Sequence, residues 1–121
     1  DIPRTWHPWT EDVLHASDRI YVVTDMTVPG LRSGKRALQR IIDKARPDLP
    51  PKVIVNRAEK QGFFSNGIRR ADIERVLEDH FAGLVSNNYA LVREAIDRGV
   101  PLEVVKQGNA VSGDLKKILF A

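Results

Sequence analysis

The sequence KVIVNR, residues 52–57, is the stretch on which the interpretation of the whole chain depends. Its apolar triplet Val53-Ile54-Val55 has no polar alternation, a pattern typical of a parallel strand covered on both faces. Asn56 and Arg57 follow at once, and they do not cap a helix because the next helical pattern begins more than ten residues later. The stretch therefore predicts a central strand that ends in hydrogen-bonding groups.

Apolar runs and helical patterns alternate along the rest of the chain. Apolar positions that recur at helical spacing, such as Leu31, Leu38 and Ile41, predict amphipathic helices between the strands. The predicted strands cover residues 20–24, 52–56 and 81–85, and the predicted helices cover residues 10–17, 31–46, 71–77, 89–98 and 112–120. This alternation predicts an α/β fold, in which a parallel sheet is flanked by helices in a three-layer sandwich. A fourth strand is expected to end at Asp1-Ile2-Pro3.

Local signals place the ends of these elements. The expected N-caps are Thr10, Asn88 and Ser112. Gly99 is expected to take the left-handed conformation that closes a helix, and Pro29-Gly30 is expected to form a turn before the second helix. The residues expected to face the core include Val76 and Leu119.

Composition restricts the possible classes of function. The 121 residues are 42% apolar, enough for one core, so residues 1–121 are expected to form one folding unit or part of one. The chain has no cysteine, which excludes disulfides and thiolate metal sites, and its 3 histidines are isolated, which argues against a histidine metal site. A net charge of +3 with interspersed signs indicates a solvated surface. The start at Asp1, without methionine, indicates a fragment or a processed product.

Polar residues follow each predicted strand, at Thr24-Asp25, Asn56-Arg57 and Ser86-Asn87-Asn88. In an open parallel sheet, ligands bind beyond the carboxyl ends of the strands. Ordinary turn chemistry explains part of this pattern, but it does not explain Asn56-Arg57. An asparagine amide can pair with a donor and an acceptor on the edge of adenine. We therefore expect a ligand at this edge of the sheet.

The segment from Gly30 to Arg36 superficially resembles a phosphate-binding loop. Such a loop needs four residues between its glycines and a hydroxyl residue after the lysine. Here three residues separate Gly30 from Gly34, and Arg36 follows Lys35. The segment therefore predicts a basic helix start, and the doublets Arg69-Arg70 and Lys116-Lys117 are expected to lie on solvated helix faces.

Five segments of the chain form a set of motifs in a fixed order: residues 1–4 (DIPR), 17–24 (SDRIYVVT), 31–36 (LRSGKR), 53–57 (VIVNR) and 94–102 (EAIDRGVPL). In this order and spacing they resemble the MinD/ParA group of P-loop ATPases. Within that group, the D-x-P-R opening followed by Trp6 and Trp9, together with residues 25–36, looks most like the CpaE/TadZ pilus-assembly proteins. The resemblance covers essentially the whole chain, but only the C-terminal half of the family's ATPase domain.

The resemblance implies a role for four residues. Asp1 matches the acidic residue that acts near the magnesium ion and the attacking water, so it is the catalytic and metal candidate. Asn56 matches the asparagine that contacts the adenine amino edge, with Arg57 beside it. Asn87 falls where relatives contact the base from another strand end, although relatives usually have a proline there. The phosphate-binding loop would lie upstream, so this chain alone is expected neither to hold ATP and Mg²⁺ tightly nor to hydrolyse ATP.

The resemblance also implies a biological role. Full-length relatives position pilus-assembly machinery through nucleotide-linked homodimers, in the cytoplasm, at the cell pole or at the inner membrane surface. The implied partners are pilus or secretion proteins, without nucleic acid. Weak membrane association through residues 115–120 is an option, although we favour a last core helix there. Two alternatives stay open: a ParA-like, DNA-positioning partition ATPase and a nucleotide-free polar scaffold.

Overall fold

The computed structural model describes residues 1–59 and 67–120. Helices and strands alternate through most of the chain, as the sequence predicts. In chain order the elements are α1 (Thr10–Ala16), β1 (Tyr21–Asp25), α2 (Val28–Lys44), β2 (Lys52–Ala58), α3 (Arg70–Leu77), a 3₁₀ turn (Glu78–His80), β3 (Phe81–Ser86), α4 (Tyr89–Arg98), α5 (Leu102–Val105) and α6 (Ala110–Leu119). The sequence between β2 and α3 predicts a long polar loop that contains glycine, and this loop lies partly outside the described residues.

The three strands form one parallel sheet in the order β1-β2-β3. The central strand is β2, as predicted, and Val53 and Val55 have no exposed surface. Alternate residues of β2 point to opposite faces of the sheet. Val53 and Val55 pack in one apolar cluster and Ile54 packs in another, so both faces are covered by helices. The α/β fold class is confirmed.

One face of the sheet is covered by α1, α2 and α3. Its buried residues are Met26, Leu31, Leu38, Val53, Val55, Ile73 and Leu77, with Leu14, Ile41 and Ala45 in an adjoining cluster. Gly34 lets α2 lie close to β1, since a Cβ at this position would be 3.3 Å from Thr24. Trp6 packs on the adjoining cluster, and the Arg40 guanidinium lies 4.2 Å from the centre of the Trp6 ring.

The opposite face is covered by α4, α5 and α6. The buried residues there are Ile54, Val85, Leu91 and Val111. These helices cover β2 and β3 but leave β1 partly uncovered. Val23 on β1 is therefore 63% exposed. Leu115 and Ile118 pack against this cluster, so the segment from 115 to 120 contributes to the last core helix as favoured. Leu119 was predicted to face inward, but it is exposed, as is Phe120.

Two predicted helix starts are wrong, those of α2 and α6. α2 begins at Val28, so Pro29-Gly30 is its first turn and Thr27 is its cap, accepting a hydrogen bond from Gly30 N. Proline is common in the first turn of a helix, because an N–H group there would have no partner within the helix. α6 is capped by Asn109, whose Oδ1 accepts from Ser112 N, so Ser112 is inside the helix.

α1 begins at Thr10, as predicted, but the prediction of Thr10 as its cap is wrong, because Trp9 occupies the cap position without a side-chain hydrogen bond. The Thr10 hydroxyl instead accepts from His7 N at 2.9 Å. The other predicted ends are confirmed, since Asn88 accepts from Leu91 N and Gly99 has φ of 64°.

Three further differences follow from packing. Val76 is exposed because α3 is short and contacts the sheet through Ile73 and Leu77. The helix α5 was not predicted. Residues 1–3 have no strand partner within the described part of the chain, and Ile2 packs beside Leu14 and Ile41. No helix within residues 1–59 and 67–120 is long and apolar enough to cross a membrane.

Candidate functional site

A groove of about 430 Å³ opens between the carboxyl ends of the strands and α4. Its volume is within the range of small-molecule sites. Its apolar lining residues are Val23, Ile54, Val85, Val92, Ile96, Val111 and Leu115. Its polar and aromatic lining residues are Asn56, Arg57, Ser86, Asn87, Asn88, Tyr89 and Arg93. The structure thus brings together Asn56, Arg57 and Asn87, the three residues implied as nucleotide-binding.

A bulge shapes the carboxyl end of β2. Between Val55 and Ala58 the strand advances by one residue more than its partner β3 does from Leu84 to Ser86. Arg57, within this bulge, has φ of 55°, a left-handed conformation that is strained for a residue with a Cβ. Its N–H donates to Asn56 Oδ1 at 2.9 Å. The bulge takes both residues out of the ladder with β3, whereas Asn56 still pairs with Asp25 of β1, and both residues line the groove.

Hydrogen bonds from two other segments hold the carboxyl end of β3. The Asp114 carboxylate on α6 accepts from the backbone N–H and the hydroxyl of Ser86. Asn87 N donates to Ala58 O at 3.0 Å, and Asn87 Nδ2 donates to Glu59 Oε1 at 2.6 Å. The side chain of Asn87 is therefore fixed from the end of β2.

At the carboxyl end of β1, the polar groups form hydrogen bonds with one another. Asp25 Oδ1 accepts from the Thr27 hydroxyl at 2.6 Å, and that hydroxyl accepts from Gly30 N at 3.0 Å. The Asp25 carboxylate thus lies at the N-terminus of α2, where a phosphate would have to bind. A Cβ on Gly30 would overlap Asp25 Oδ1. This geometry agrees with the prediction that the segment from Gly30 to Arg36 is helical and not a phosphate loop.

Asp1 lies apart from these residues. It is exposed, it does not line the groove, and its neighbour Ile2 packs on the side of α1 and α2. Within residues 1–59 and 67–120, no group of three histidine or acidic side chains is placed to hold a metal ion. Mg²⁺ prefers several oxygen ligands, so one isolated carboxylate does not fit it. The catalytic and metal role of Asp1 stays a prediction.

Sequence reasoning missed several residues at the groove. Tyr89, 71% exposed at the rim, follows the cap residue Asn88 directly, so its position could have been derived from the cap. Arg93 lies one turn further along α4 and donates to Tyr89 Oη at 3.2 Å. Glu59 and Asp114 gave no local signal, because their partners Asn87 and Ser86 are 28 residues away.

The groove is suited to a planar polar heterocycle. Apolar side chains form part of its lining, as the face of a ring system requires, and Asn56 and Asn87 are among its polar lining residues. The exposed ring of Tyr89 offers a stacking surface, and Arg57 provides positive charge for an anionic substituent. The Ser86 hydroxyl at the groove donates to the Asp114 carboxylate, which also accepts from the Ser86 N–H. The arrangement supports the binding of a planar polar ring.

The fold has a counterpart among solved structures. The chain is similar to a ParA family ATPase from Chlorobium tepidum TLS, with a TM-score of 0.77 and 19% identity, over 92% of this chain. The chain spans 45% of the length of that structure. No family model and no curated protein matches the sequence. At this identity the likeness shows the fold, a Rossmann-type α/β sandwich of the ParA kind, as the sequence resemblance implied.

Proposed function

We propose that this chain is the C-terminal part of a MinD/ParA-like ATPase domain and that its groove binds the adenine of ATP. The observation that carries the proposal is the meeting of Asn56 and Asn87 at the rim of one apolar groove, on a fold similar to that of a ParA family ATPase. The phosphates and Mg²⁺ would be held by a part of the domain that has no counterpart here. Binding by this chain alone is therefore weak, and hydrolysis is not expected.

The free edge of β1 supports the assignment to part of a larger domain. β1 pairs only with β2 within the described residues, so its other edge has unpaired backbone groups. Val23 on this strand is 63% exposed at the mouth of the groove. Unpaired apolar edge strands are usually covered in native proteins. A further strand of the same ATPase domain, added along β1, would pair the backbone groups of this edge.

Within the MinD/ParA group, we propose a role in positioning Flp/Tad-type pilus-assembly machinery. The support is the sequence resemblance to the CpaE/TadZ proteins in the D-x-P-R opening, in Trp6 and Trp9, and in residues 25–36. The full-length protein would then bind ATP and Mg²⁺, form nucleotide-linked homodimers and contact pilus or secretion proteins. It would act in the cytoplasm, at the cell pole or at the inner membrane surface.

A titration of the ¹⁵N-labelled chain with ATP and with GTP, followed by NMR, tests the adenine site. We expect the shifts induced by ATP to map to the groove, and Asn56→Ala to weaken ATP about three- to tenfold, the value of one hydrogen bond. Gln107→Ala, at an exposed amide outside the groove, is the matched control. Unchanged ATP and GTP affinities in Asn56→Ala would refute the assignment of the site.

One observation favours a second candidate, the positioning of DNA. Arg32, Lys35 and Arg36 are exposed on α2 and make no ion pair with the described residues. The arginines of α3 and α4 differ in this respect. Their ion pairs are Arg70–Glu74, Arg75–Asp72, Arg93–Asp97 and Arg98–Glu94. An unpaired basic stripe on one helix is suited to a phosphate backbone.

Fluorescence anisotropy with a non-specific duplex at several salt concentrations tests this candidate. DNA binding through α2 predicts an affinity that falls steeply with salt and is lost when Arg32, Lys35 and Arg36 are all replaced by glutamine. The control replaces Arg70, Arg75 and Arg98 by glutamine, which removes the same charge from paired positions. Equal loss in both triple variants would indicate a general charge effect and would contradict a specific role for α2.

A further inference from the structure

The hydrogen bonds at the groove fix the orientation of two amides in opposite senses. The Arg57 N–H donates to Asn56 Oδ1 at 2.9 Å, so the Asn56 amide keeps its Nδ2 donors for a ligand. Asn87 Nδ2 donates to Glu59 Oε1 at 2.6 Å, and a carboxylate can only accept, so Asn87 keeps its Oδ1 acceptor. No other hydrogen bond to these remaining atoms comes from residues 1–59 and 67–120. Of these two amides, Asn56 thus keeps its Nδ2 as a donor and Asn87 keeps its Oδ1 as an acceptor for a ligand.

This pair of groups matches one kind of purine edge. Adenine presents a ring-nitrogen acceptor beside the donating 6-amino group, and guanine presents the acceptor O6 in the same place. With Asn56 donating to the ring nitrogen, the Asn87 oxygen accepts from a 6-amino group. The same oxygen would meet a 6-oxo group as a second acceptor, with no hydrogen between them. The arrangement thus favours a 6-aminopurine over a 6-oxopurine.

We propose that Glu59 is a positioning residue that sets this base preference. By accepting from Asn87 Nδ2, Glu59 prevents the amide from rotating to present its donors to the groove. The inference rests on the proposed adenine site and adds a specificity determinant to it. Glu59 directly follows Ala58, the last residue of β2, and Ala58 O accepts from Asn87 N. The backbone contact sets the distance between the two segments, and the carboxylate sets which end of the amide faces the ligand.

The negative charge of Glu59 strengthens the preference of the Asn87 amide for one orientation. A hydrogen bond to an ionised carboxylate is roughly twice as strong as one between neutral groups. Rotation of the Asn87 amide by half a turn would place Oδ1 against Glu59 Oε1, so a hydrogen bond would be replaced by the repulsion of two acceptors. Glutamine at position 59 would accept from Asn87 in one rotamer and donate to it in the other. Glu59→Gln thus removes the preference for one orientation while keeping size and shape.

The test is an NMR titration of the 121-residue chain with adenosine monophosphate and inosine monophosphate. These two ligands share ribose and phosphate and differ only in the 6-amino group and the 6-oxo group with its N1 proton. We expect wild type to bind the adenosine nucleotide about tenfold more tightly and Glu59→Gln to bind the two within about twofold, as one oriented hydrogen bond would give. Glu59→Asp keeps an acceptor and should keep the preference. Glu11→Gln removes the same charge from α1, on the other face of the sheet, and is the control.

The outcomes separate the inference from the proposal it rests on. Equal binding of both nucleotides by wild type would contradict the adenine site itself. A wild-type preference that persists in Glu59→Gln would overturn the role of Glu59 and leave the site intact. The side-chain NH₂ resonances of Asn87 give a readout that needs no ligand. These resonances should shift in Glu59→Gln and stay at their wild-type positions in Glu59→Asp. Resonances that are unchanged in both variants would also overturn the inference.

Discussion

The carboxyl ends of β1 and of β2–β3 have similar polar sequences but different structures. At the end of β1, Asp25, Thr27 and the backbone of Gly30 bond to one another and close the N-terminus of α2. At the ends of β2 and β3, Asn56 and Asn87 each use one end of the amide in the hydrogen bonds described above, and both residues line the groove. Polar residues after a strand therefore do not by themselves identify a site. The remaining hydrogen-bonding capacity does.

The difference implies two separate readouts. Substitutions at the closed end of β1 should change the free energy of unfolding and leave ligand binding unchanged. Substitutions at the open ends of β2 and β3 should change binding with little loss of stability. The predictions below test this division, beginning with the largest effect.

Gly30→Ala should cause the largest loss of stability. The new Cβ would overlap Asp25 Oδ1 and would lie 2.8 Å from Thr27 Oγ1, so the closed cluster would have to open. Overpacking of this kind costs about 1–3 kcal/mol in the free energy of unfolding. The measurement is urea denaturation followed by circular dichroism, with ATP titration of the folded variant as the second readout. Binding should stay at the wild-type level.

Two variants control this prediction. Gly113→Ala, in α6, has no atom within 4 Å of its new Cβ and should stabilise the protein by about 0.5–1 kcal/mol, the gain in helix propensity. Adding Asp25→Ala to Gly30→Ala removes the overlapping oxygen. The double variant should therefore lose less stability than the sum of the two single variants. Additive losses would show that the strain at Gly30 does not come from Asp25.

Local patterns predicted most of the fold. The apolar run Val53-Ile54-Val55 is a local pattern, and so are the two capping residues of α4, Asn88 at its start and Gly99 at its end. Each of these predictions is confirmed. The start of α6 was misplaced because Asn109 and Ser112 are both good caps three residues apart, and the packing of Val111 into the core selects the earlier one. Pro29-Gly30 is compatible with a turn and with a first helical turn, and the Thr27 cap decides between them.

The candidate site was predictable only in part. Asn56, Arg57 and Asn87 could be named because parallel strands bring their carboxyl ends to one edge. The contact of Glu59 with Asn87 requires the register of β2 against β3, including the bulge after Val55, and no local pattern encodes that register. The positive φ of Arg57 has the same origin. Sequence therefore located the polar ends but not the bonds that orient them.

Arg57→Gly should have an effect of intermediate size. It should raise the free energy of unfolding and weaken the binding of ATP. Glycine adopts a φ of 55° without steric cost, so we expect a gain of about 1 kcal/mol in the free energy of unfolding. The guanidinium at the groove is lost, so ATP should bind more weakly. Glu78→Gly is the matched variant, because Glu78 has φ of 52° at the end of α3, outside the groove. It should gain similar stability with unchanged binding. A gain in binding for Arg57→Gly would contradict the role of Arg57.

The smallest effect concerns a second closed cluster, at the C-terminus of α1. The Arg46 guanidinium donates to the carbonyl oxygens of Leu14, His15 and Ser17 and also bonds the Asp48 carboxylate. The hydrogen bond from Arg46 is the main cause that lowers the pKa of Asp48 below its ordinary value. A lowered pKa in the folded state contributes stability above the unfolded-state pKa of about 3.9, and that contribution is lost as the pH falls through the folded-state value.

Asp48→Asn should therefore be slightly less stable than wild type at neutral pH, and the difference should vanish in acid. Asp48 is exposed, so solvent screening keeps the effect small. Urea denaturation at a series of pH values below neutrality measures the difference, with Asp18→Asn, which has no described partner, as the control. Nucleotide binding at neutral pH should not change, since Arg46 and Asp48 do not line the groove. A change in binding would mean that closed clusters also influence the open strand ends, and the division between them would fail.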